Sequence, residues 1–459
     1  MKFVTAKTPL AAAVGLMVAT SVWAKVPANE AEQLGKELTC VGAIKAGNKE
    51  GTIPEFTGKW VGAPAGVAHV QSSGKHPVDI YADEKPLFVI TAENMEKYGD
   101  KLSAGQKAMF QKYSKTMQMP VYKGHRDFRY TDEVCAVLKK NALESEVVDN
   151  GMGIKGSFGA INFPIPKTGQ EVIWNNLLPT RAYTEAITRD MANVLSDGSM
   201  SFGRMQNLNL DMVNKPEMLG KPVEGVMAYT RTRTLAPERE KGGVTHSVEP
   251  VNFGKDKRLA WSYDPGTRRV RQVPEYGFDQ PMAGTGGKMT IDSDRLFNGS
   301  PERYNWKLLG KKEMYIPANN YKIHQPTVKY ADLLKPGHAN PDFMRYELRR
   351  VWAVEGTLKD GFRHVYGKRV LFVDEDTGQA VAADMYDARG QLWQHAFINY
   401  YYSFDIKAWH AGTSFYHDLN SGGYMGYNLF QERPQGPILN KGDLVPAMFT
   451  PEAARNAGN

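Results

Sequence analysis

The sequence predicts an α+β protein, mainly β, built on a large antiparallel sheet or open barrel that begins near residue 156. Apolar and polar residues alternate in about eleven segments separated by turns rich in Gly, Asp and Asn, the spacing of such a sheet. Before residue 156 the chain has short amphipathic stretches with helix-capping residues instead. The predicted strands are 181–195, 199–213, 225–235, 245–252, 258–263, 268–273, 306–316, 346–358, 364–373, 379–386 and 391–402.

The first residues have the pattern of a secretory signal peptide. A basic start, MKFVTAK, precedes the apolar run TPLAAAVGLMVATSV, and Val22-x-Ala24 suits a signal peptidase. The alternative is a membrane anchor, but the run is shorter than the roughly 20 residues that a spanning helix needs. We expect residues 1–24 to be removed after Ala24 and the mature protein to lie in the periplasm.

The formal net charge of +7 comes from Lys and Arg residues spread along the chain. No basic segment stands out, and an exported protein does not normally meet nucleic acid, so we expect no nucleic-acid partner. The charge indicates a solvated basic surface or, as a sharper alternative, attraction to anionic lipid head groups.

Residues 25–155 are expected to form an N-terminal extension of helices and loops. Capping residues predict helix starts at Asn29, at Thr91 to Asn94 and at Ser103, and a fourth helix over 132–141. After a Pro- and Gly-rich break at 162–169, residues 170–178 are typical of a short amphipathic helix that leads into the strands. From 411 to 459 the composition, rich in Gly, Asn and Pro, predicts an irregular C-terminal tail.

The last predicted strand is apolar on both faces. Trp393, Phe397 and Tyr401 point one way, whereas Leu392, Ala396, Ile398 and Tyr400 point the other way. An antiparallel sheet with one solvated face would alternate apolar with polar residues. Both sides of this strand must therefore be covered by protein or by a ligand.

The sequence has no motif for catalysis or metal binding in the context that its chemistry needs. Gly151 to Gly156 matches GxGxxG but lacks the strand before it and the helix after it that a dinucleotide site needs. Gly284 to Lys288 resembles a phosphate loop but lacks its first Gly and its final Ser or Thr, so this segment is expected to be a mobile loop. The ten His residues are scattered, so no metal or cofactor is expected. Asp374, Glu375 and Asp376 lie in a turn, where solvated charges are ordinary. We expect no enzyme activity.

Cys40 and Cys135 are the two cysteines of the chain. In an exported protein an even pair indicates one disulfide, and two unpaired buried thiols are the alternative. We expect a bond between them that pins the extended N-terminal segment to the fourth helix.

Several long stretches resemble a bacterial family of proteins of unknown function, DUF1329. They include LGKELTCVGAIKAGNKEGTIPEFTG, LAWSYDPGTRRVRQVP and YELRRVWAVEGTLKDGFRHVYGKRVLFVDEDTGQAVAADMYDARGQLWQ. The strand–turn–strand units at 263–270 and 373–393 also resemble LolA and LolB, periplasmic lipoprotein carriers. The resemblance implies an open antiparallel half-barrel over residues 156–410, with helices on its concave side and a cavity for acyl chains.

A half-barrel implies that one face of the last strands lines a hollow. We expect ligand contacts from the bulkiest side chains of that region, namely Phe372, Met385, Trp393, Phe397 and Tyr401. Large aromatics and a flexible Met suit an adaptable apolar wall, although they would also suit a dry core.

The implied function is binding and transfer of a lipid or other apolar envelope molecule. The resemblance further implies a membrane transporter of the RND type or an outer-membrane partner. Two alternatives remain open. A polar constellation in the cavity would favour an envelope enzyme acting on a lipid or polymer, and a filled interior would favour a structural adaptor of an envelope complex.

Overall fold

The computed structural model describes residues 25–458, and the predicted signal peptide lies outside the described residues. Within that range the chain forms an extensive β structure. Its strands are β1 Phe88–Thr91, β2 Gln118–Val121, β3 Glu146–Val148, β4 Gly153–Lys155, β5 Thr184–Val194, β6 Met200–Asp211, β7 Val226–Ala236, β8 Val244–Pro250, β9 Leu259–Asp264, β10 Arg269–Gln272, β11 Tyr304–Pro317, β12 Tyr346–Leu358, β13 Lys368–Asp374, β14 Ala380–Tyr386, β15 Leu392–Ser403, β16 Ala408–Asp418, β17 Tyr424–Leu429 and β18 Ile438–Leu439.

The helices are short and lie mostly outside the strand-rich region. The α-helices are α1 Ala28–Ala31, α2 Ala104–Lys112, α3 Asp132–Glu144, α4 Gly169–Leu177, α5 Tyr330–Leu333 and α6 Pro451–Gly458, and the 3-10 helices are Met95–Lys101, Asp149–Gly151, Pro216–Met218, Glu238–Glu240, Ile291–Leu296, Lys322–His324, Pro341–Phe343 and Pro446–Phe449. Capping boxes start α2 at Ser103 and α4 at Thr168, since a hydroxyl there satisfies a free backbone N–H.

All eleven strands predicted from the sequence are present. They join one open, mostly antiparallel sheet in the order β1-β2-β12-β13-β14-β15-β16-β17-β5-β6-β7-β8-β9-β10, with β11 paired to β12 and β18 paired to β5. The pair β3 and β4 stands apart. The α+β class and the open half-barrel are confirmed, because the two ends of this strand order, β1 and β10, do not pair with each other.

The N-terminal extension packs on this sheet and adds to its edge. α2 contacts β14 and β15, and the Gln106 side chain donates a hydrogen bond to the Tyr315 carbonyl at 2.8 Å. β1 and β2 join the sheet edge, although the sequence predicted only helices and loops there, since four-residue strands carry little periodic signal. The Cys40–Cys135 disulfide is present and ties the extended segment to α3, as predicted.

A buried ionic cluster fixes the extension to the turn after β13. Arg126 donates two hydrogen bonds to Asp376, each 2.8 Å, and Arg349 approaches the same carboxylate at 2.9 Å. Lys311 pairs with Glu375 at 2.8 Å. The prediction of a solvated acidic turn is wrong: these carboxylates are buried because the extension folds over them.

The predicted irregular tail from residue 411 is wrong in its first part. β16 and β17 run through 408–429 and pair with β15 and β5. Glycines misled the prediction because they serve close packing here rather than turns. A Cβ at Gly412 would lie 2.0 Å from His324 Nε2.

The remainder of the C-terminal segment covers the outer side of β6–β10. Leu444 and Phe449 pack on Leu208 and Leu210, and Ala454 of α6 packs on Val244 and Tyr263. None of the helices in residues 25–458 has the length and apolar character needed to cross a membrane.

Removing the charge at the centre of the ionic cluster should destabilise the whole fold. Arg126→Met leaves the Asp376 carboxylate buried without its bidentate partner, which should lower the free energy of unfolding by about 3–5 kcal/mol. Arg129→Met is the matched control, because its partner Asp132 is largely exposed and such a pair contributes at most about 1 kcal/mol. Urea denaturation of both variants tests this, and equal losses would contradict a structural role for the cluster.

The structure also predicts acid sensitivity. His324 is buried as a neutral ring: its Nδ1 hydrogen-bonds the Asn320 carbonyl at 2.8 Å and its Nε2 accepts from the Thr413 N–H at 2.9 Å. Burial lowers the pKa of His324 to about 3 and lowers the pKa of five other histidines, His246, His338, His364, His410 and His417.

These rings take up protons more readily in the unfolded chain than in the folded protein. The stability that they contribute to the folded protein is therefore complete above pH 6.5 and is lost as the pH falls toward their folded pKa. For His324 this loss should be about 1.4 kcal/mol per pH unit between pH 6.5 and its folded pKa of about 3. Asp374 opposes this between pH 4 and 6, since burial raises its pKa to about 6. We expect urea midpoints to fall steadily from pH 7 to pH 5, and a flat profile would show that the rings are protonated or exposed.

Candidate functional site

The sheet borders a cavity of about 400 Å³ on one side of β5–β9. Its other walls come from β15, β16 and β17 and from residues 273–298, which we call the covering segment because they fold over the sheet between β10 and β11. A volume of this size lies in the range of small-molecule binding sites.

The floor of the cavity is polar. Alternate residues of four neighbouring strands, here called the polar strip, present amides and hydroxyls to it: Asn207, Asn209, Thr230, Thr232, Thr245, Ser247 and Ser262. The intervening residues, such as Leu208 and Leu210, point outward and are buried under the C-terminal segment. The usual arrangement of an antiparallel sheet, with its polar face toward solvent, is therefore reversed over β6–β9.

Apolar side chains lie among the charged and polar residues of the remaining wall. Met205 and Met227 lie at one side, Met282 and Tyr276 belong to the covering segment, and Ile398 comes from β15. Thioether chains adapt to ligands of different shape. The cavity is thus amphipathic, with a polar floor and a wall in which flexible apolar side chains lie among charged ones.

Two ion pairs brace the ends of the cavity. Arg181 Nε approaches Asp211 at 2.5 Å, and Arg258 Nε approaches Glu249 at 2.5 Å. Both carboxylates are buried.

Glu185 is a third buried carboxylate in the cavity wall. It accepts a hydrogen bond from the Asn209 amide at 3.0 Å and lies 3.7 Å from His410 Nε2. Burial alone would raise the pKa of Glu185, but nearby His410, Arg295 and Arg189 outweigh burial and lower that pKa. Glu185 is therefore charged in the folded protein.

Two further arginines line the cavity without a carboxylate within ion-pair distance. Arg189 donates to the Asn428 side chain at 3.4 Å and stacks over the Tyr427 ring at 4.6 Å, yet its buried Nε has no hydrogen-bond partner. Arg295 makes no hydrogen bond or ion pair with any residue from 25 to 458. Burial and the neighbouring Arg181 lower the pKa of Arg295.

Most of the residues predicted to bind a ligand lie in the core and away from this cavity. Phe372 and Phe397 share one sheet face by register, each opposite Ala382. That face packs against the N-terminal extension, and we call it the extension face. Phe397 borders only a void of about 20 Å³ there, next to Met109 of α2.

Met385, Trp393 and Tyr401, the other three predicted ligand-binding residues, do not line the cavity. Met385 pairs with Arg369 and Gln394 and points to the other face from Asp384 and Phe372. Trp393 is partly buried and lies beside Tyr366, and Tyr401 packs against His324 and His410. Ile398, from the opposite parity to Phe397, is the residue of β15 that reaches the 400 Å³ cavity.

The polar strip and the two unpaired arginines were not predicted from the sequence. Alternation located the strands β6–β9, but no face was assigned to their polar positions. The signal that could have found the strip is the apolar residues at alternate positions of these strands, such as Leu208 and Leu210. Apolar residues on that face indicate that another segment of the chain packs against the outer side of the sheet. Within residues 25–458 no three His, Cys, Asp or Glu side chains are grouped so as to hold a metal ion.

Comparison with known proteins identifies the family. The model of the family described as "Protein of unknown function (DUF1329)" matches residues 89–455. The chain is also 40% identical over 445 residues, 96% of each chain, to "Uncharacterized protein PA3922" of Pseudomonas aeruginosa. The chain therefore belongs to the DUF1329 family.

Solved structures share a more distant likeness. A putative outer membrane lipoprotein-sorting protein domain from Vibrio parahaemolyticus has a TM-score of 0.40 at 16% identity, covering 59% of this chain and 91% of that one. A DUF1329 family protein from Desulfovibrio piger has a TM-score of 0.39 at 14% identity, covering 60% and 92%. LolA superfamily protein NE2245 from Nitrosomonas europaea has a TM-score of 0.37 at 13% identity, covering 62% and 98%.

Two neighbouring residues of β15, Phe397 and Ile398, can test which face of the strand is packed core and which face borders the cavity. Phe397→Ala should lower the free energy of unfolding by about 3–5 kcal/mol, because the extension face is closely packed, and should leave binding of an apolar probe unchanged. Ile398→Ala should cost less stability and weaken probe binding, since its side chain borders open space. Urea denaturation and probe titration of the two variants test this assignment, which the reverse pattern would overturn.

Proposed function

We propose that this protein binds and carries an amphipathic molecule, a lipid or a similar apolar molecule of the cell envelope, in the cavity under the covering segment. The observation that carries the proposal is a cavity wall that combines the polar strip and charged side chains with apolar side chains, three of them methionines. An apolar chain that leaves water for such a wall gains about 25 cal/mol per Å² buried, while the polar strip can hydrogen-bond a head group.

The periplasm is the proposed location. The Cys40–Cys135 disulfide supports it, because disulfides persist in oxidising compartments, and the predicted signal peptide agrees with it. The expected partner, an RND-type transporter or an outer-membrane protein, depends on the family resemblance and stays a prediction.

The cavity also bears on the two alternative functions. A structural adaptor needs no internal space, so an amphipathic cavity of about 400 Å³ favours binding. For an enzyme, Glu185 and His410 are the acid–base pair nearest to the cavity, but their 3.7 Å separation exceeds a hydrogen bond. We therefore propose a carrier that returns its cargo unaltered.

Filling the cavity should abolish binding. Thr230→Trp places a large side chain on the polar strip, where open space accepts it without displacing the core, and should weaken binding of N-phenyl-1-naphthylamine at least tenfold. The matched control is Arg231→Trp, the next residue of β7, which lies beside His246 on the outer side of the strand. Fluorescence titration of the probe measures both variants.

If Thr230→Trp and Arg231→Trp bind the probe as the parent protein does, this cavity is not the binding site. Recovery of a cleaved lipid after incubation with labelled vesicles would favour the enzyme alternative, whereas recovery of intact lipid agrees with a carrier.

A further inference from the structure

Arg295 is partly buried and has an unusual setting for an arginine of this fold. Three arginines with buried side chains each have a carboxylate partner: Arg126 has Asp376, Arg258 has Glu249 and Arg369 has Asp292. Arg295 lines the cavity and makes no such contact within residues 25–458. Partly burying a cation without an ion-pair partner costs free energy, and the nearby carboxylates of Asp294 and Glu185 offset that cost only in part.

The backbone at Arg295 is held in a costly conformation. Arg295 and Leu296 both have left-handed φ values, 52° and 68°, within a 3-10 helix that breaks at Asp294 and Arg295. Residues with side chains reach this region at a cost in free energy and tend to do so at binding sites, where the surroundings impose the conformation.

Contacts on both sides of Arg295 hold the backbone in this left-handed conformation. Three residues earlier, Asp292 is bound by His364 and Arg369, each at 3.0 Å. The Tyr416 hydroxyl donates to the Ser293 carbonyl at 2.9 Å, and the Asn176 amide donates to the Phe297 carbonyl at 3.0 Å. The segment is thus held on both sides of Arg295, which lines the cavity.

Arg189 supplies a second positive charge to the same region. Both arginines line the cavity, and Glu185, His410 and Tyr427 are each within electrostatic range of both, so the two residues lie in the same part of the cavity wall. The buried Nε of Arg189 lacks a partner. Guanidinium groups bind phosphate and carboxylate through paired hydrogen bonds.

Carboxylates are also present here and bear on the choice of ligand. Glu185 is already engaged by Asn209, and Asp294 adjoins Arg295 in the chain. A cationic ligand in this part of the cavity would be repelled by both guanidinium groups. An anion offsets the repulsion that Arg181 exerts on Arg295 and uses the free donors, so the balance of unsatisfied groups favours an anion.

We propose that Arg295 and Arg189 form the binding site for the anionic head group, a phosphate or carboxylate, of the amphipathic molecule whose binding is the proposed function above. The apolar chain lies along Met205, Met227 and Met282, and the anion lies between the two arginines. The site selects among amphiphiles by head-group charge.

Isothermal titration with two probes of equal chain length tests this on the mature protein. Decyl phosphate should bind at least tenfold more tightly than 1-decanol. Arg295→Gln should reduce the affinity for decyl phosphate to that for 1-decanol and leave 1-decanol binding unchanged. Arg231→Gln, on the outer side of β7, should change neither affinity and controls for a general loss of positive charge.

The outcomes separate this inference from the function that it depends on. Equal affinities for both probes in the parent protein, or an Arg295→Gln variant that keeps the preference for decyl phosphate, would overturn the anion site while leaving the carrier intact. Failure of both probes to bind would overturn the carrier itself. Inorganic phosphate that binds as tightly as decyl phosphate would confirm the anion site but assign it to a free anion, contrary to the proposed lipid.

Discussion

The buried contact between Arg126 and Asp376 is the interaction on which the arrangement of the molecule depends. It joins the N-terminal extension to the turn that connects β13 and β14, and Arg349 shares the same carboxylate. Buried charges of this kind contribute little net stability, but they fix which partner a segment finds, because a misplaced carboxylate would stay unpaired in the interior. The cluster therefore determines where the extension lies more than how tightly it is held.

The position of the extension decides where a ligand can bind. Once α2 and its neighbours cover the extension face, Phe397 and Phe372 belong to a closed core. The free volume then lies on the other face, where β6–β9 turn their polar residues inward and the C-terminal segment covers their apolar side. One part of the sheet thus packs in a closed core, and the other part borders an amphipathic cavity.

The sequence was sufficient for the strands of the sheet, and insufficient for what covers them. Alternation located β5–β15 because a strand needs only its own residues to show a period of two. The apolar character of both faces of β15 correctly required two covers, but Phe397 and Ile398 are equally apolar, so parity could not say which one faced open space. Arg295 carries no local signal at all, since its lack of a partner is a property of contacts between the covering segment and distant strands.

Native mass spectrometry of the mature chain, purified from the periplasm under mild conditions, would show whether the protein carries an amphipathic molecule. We expect a population heavier than the polypeptide by the mass of one anionic amphiphile, which extraction with organic solvent releases intact. A protein that shows only the mass of the disulfide-bonded polypeptide, both as purified and after incubation with envelope lipids, would contradict a carrier function.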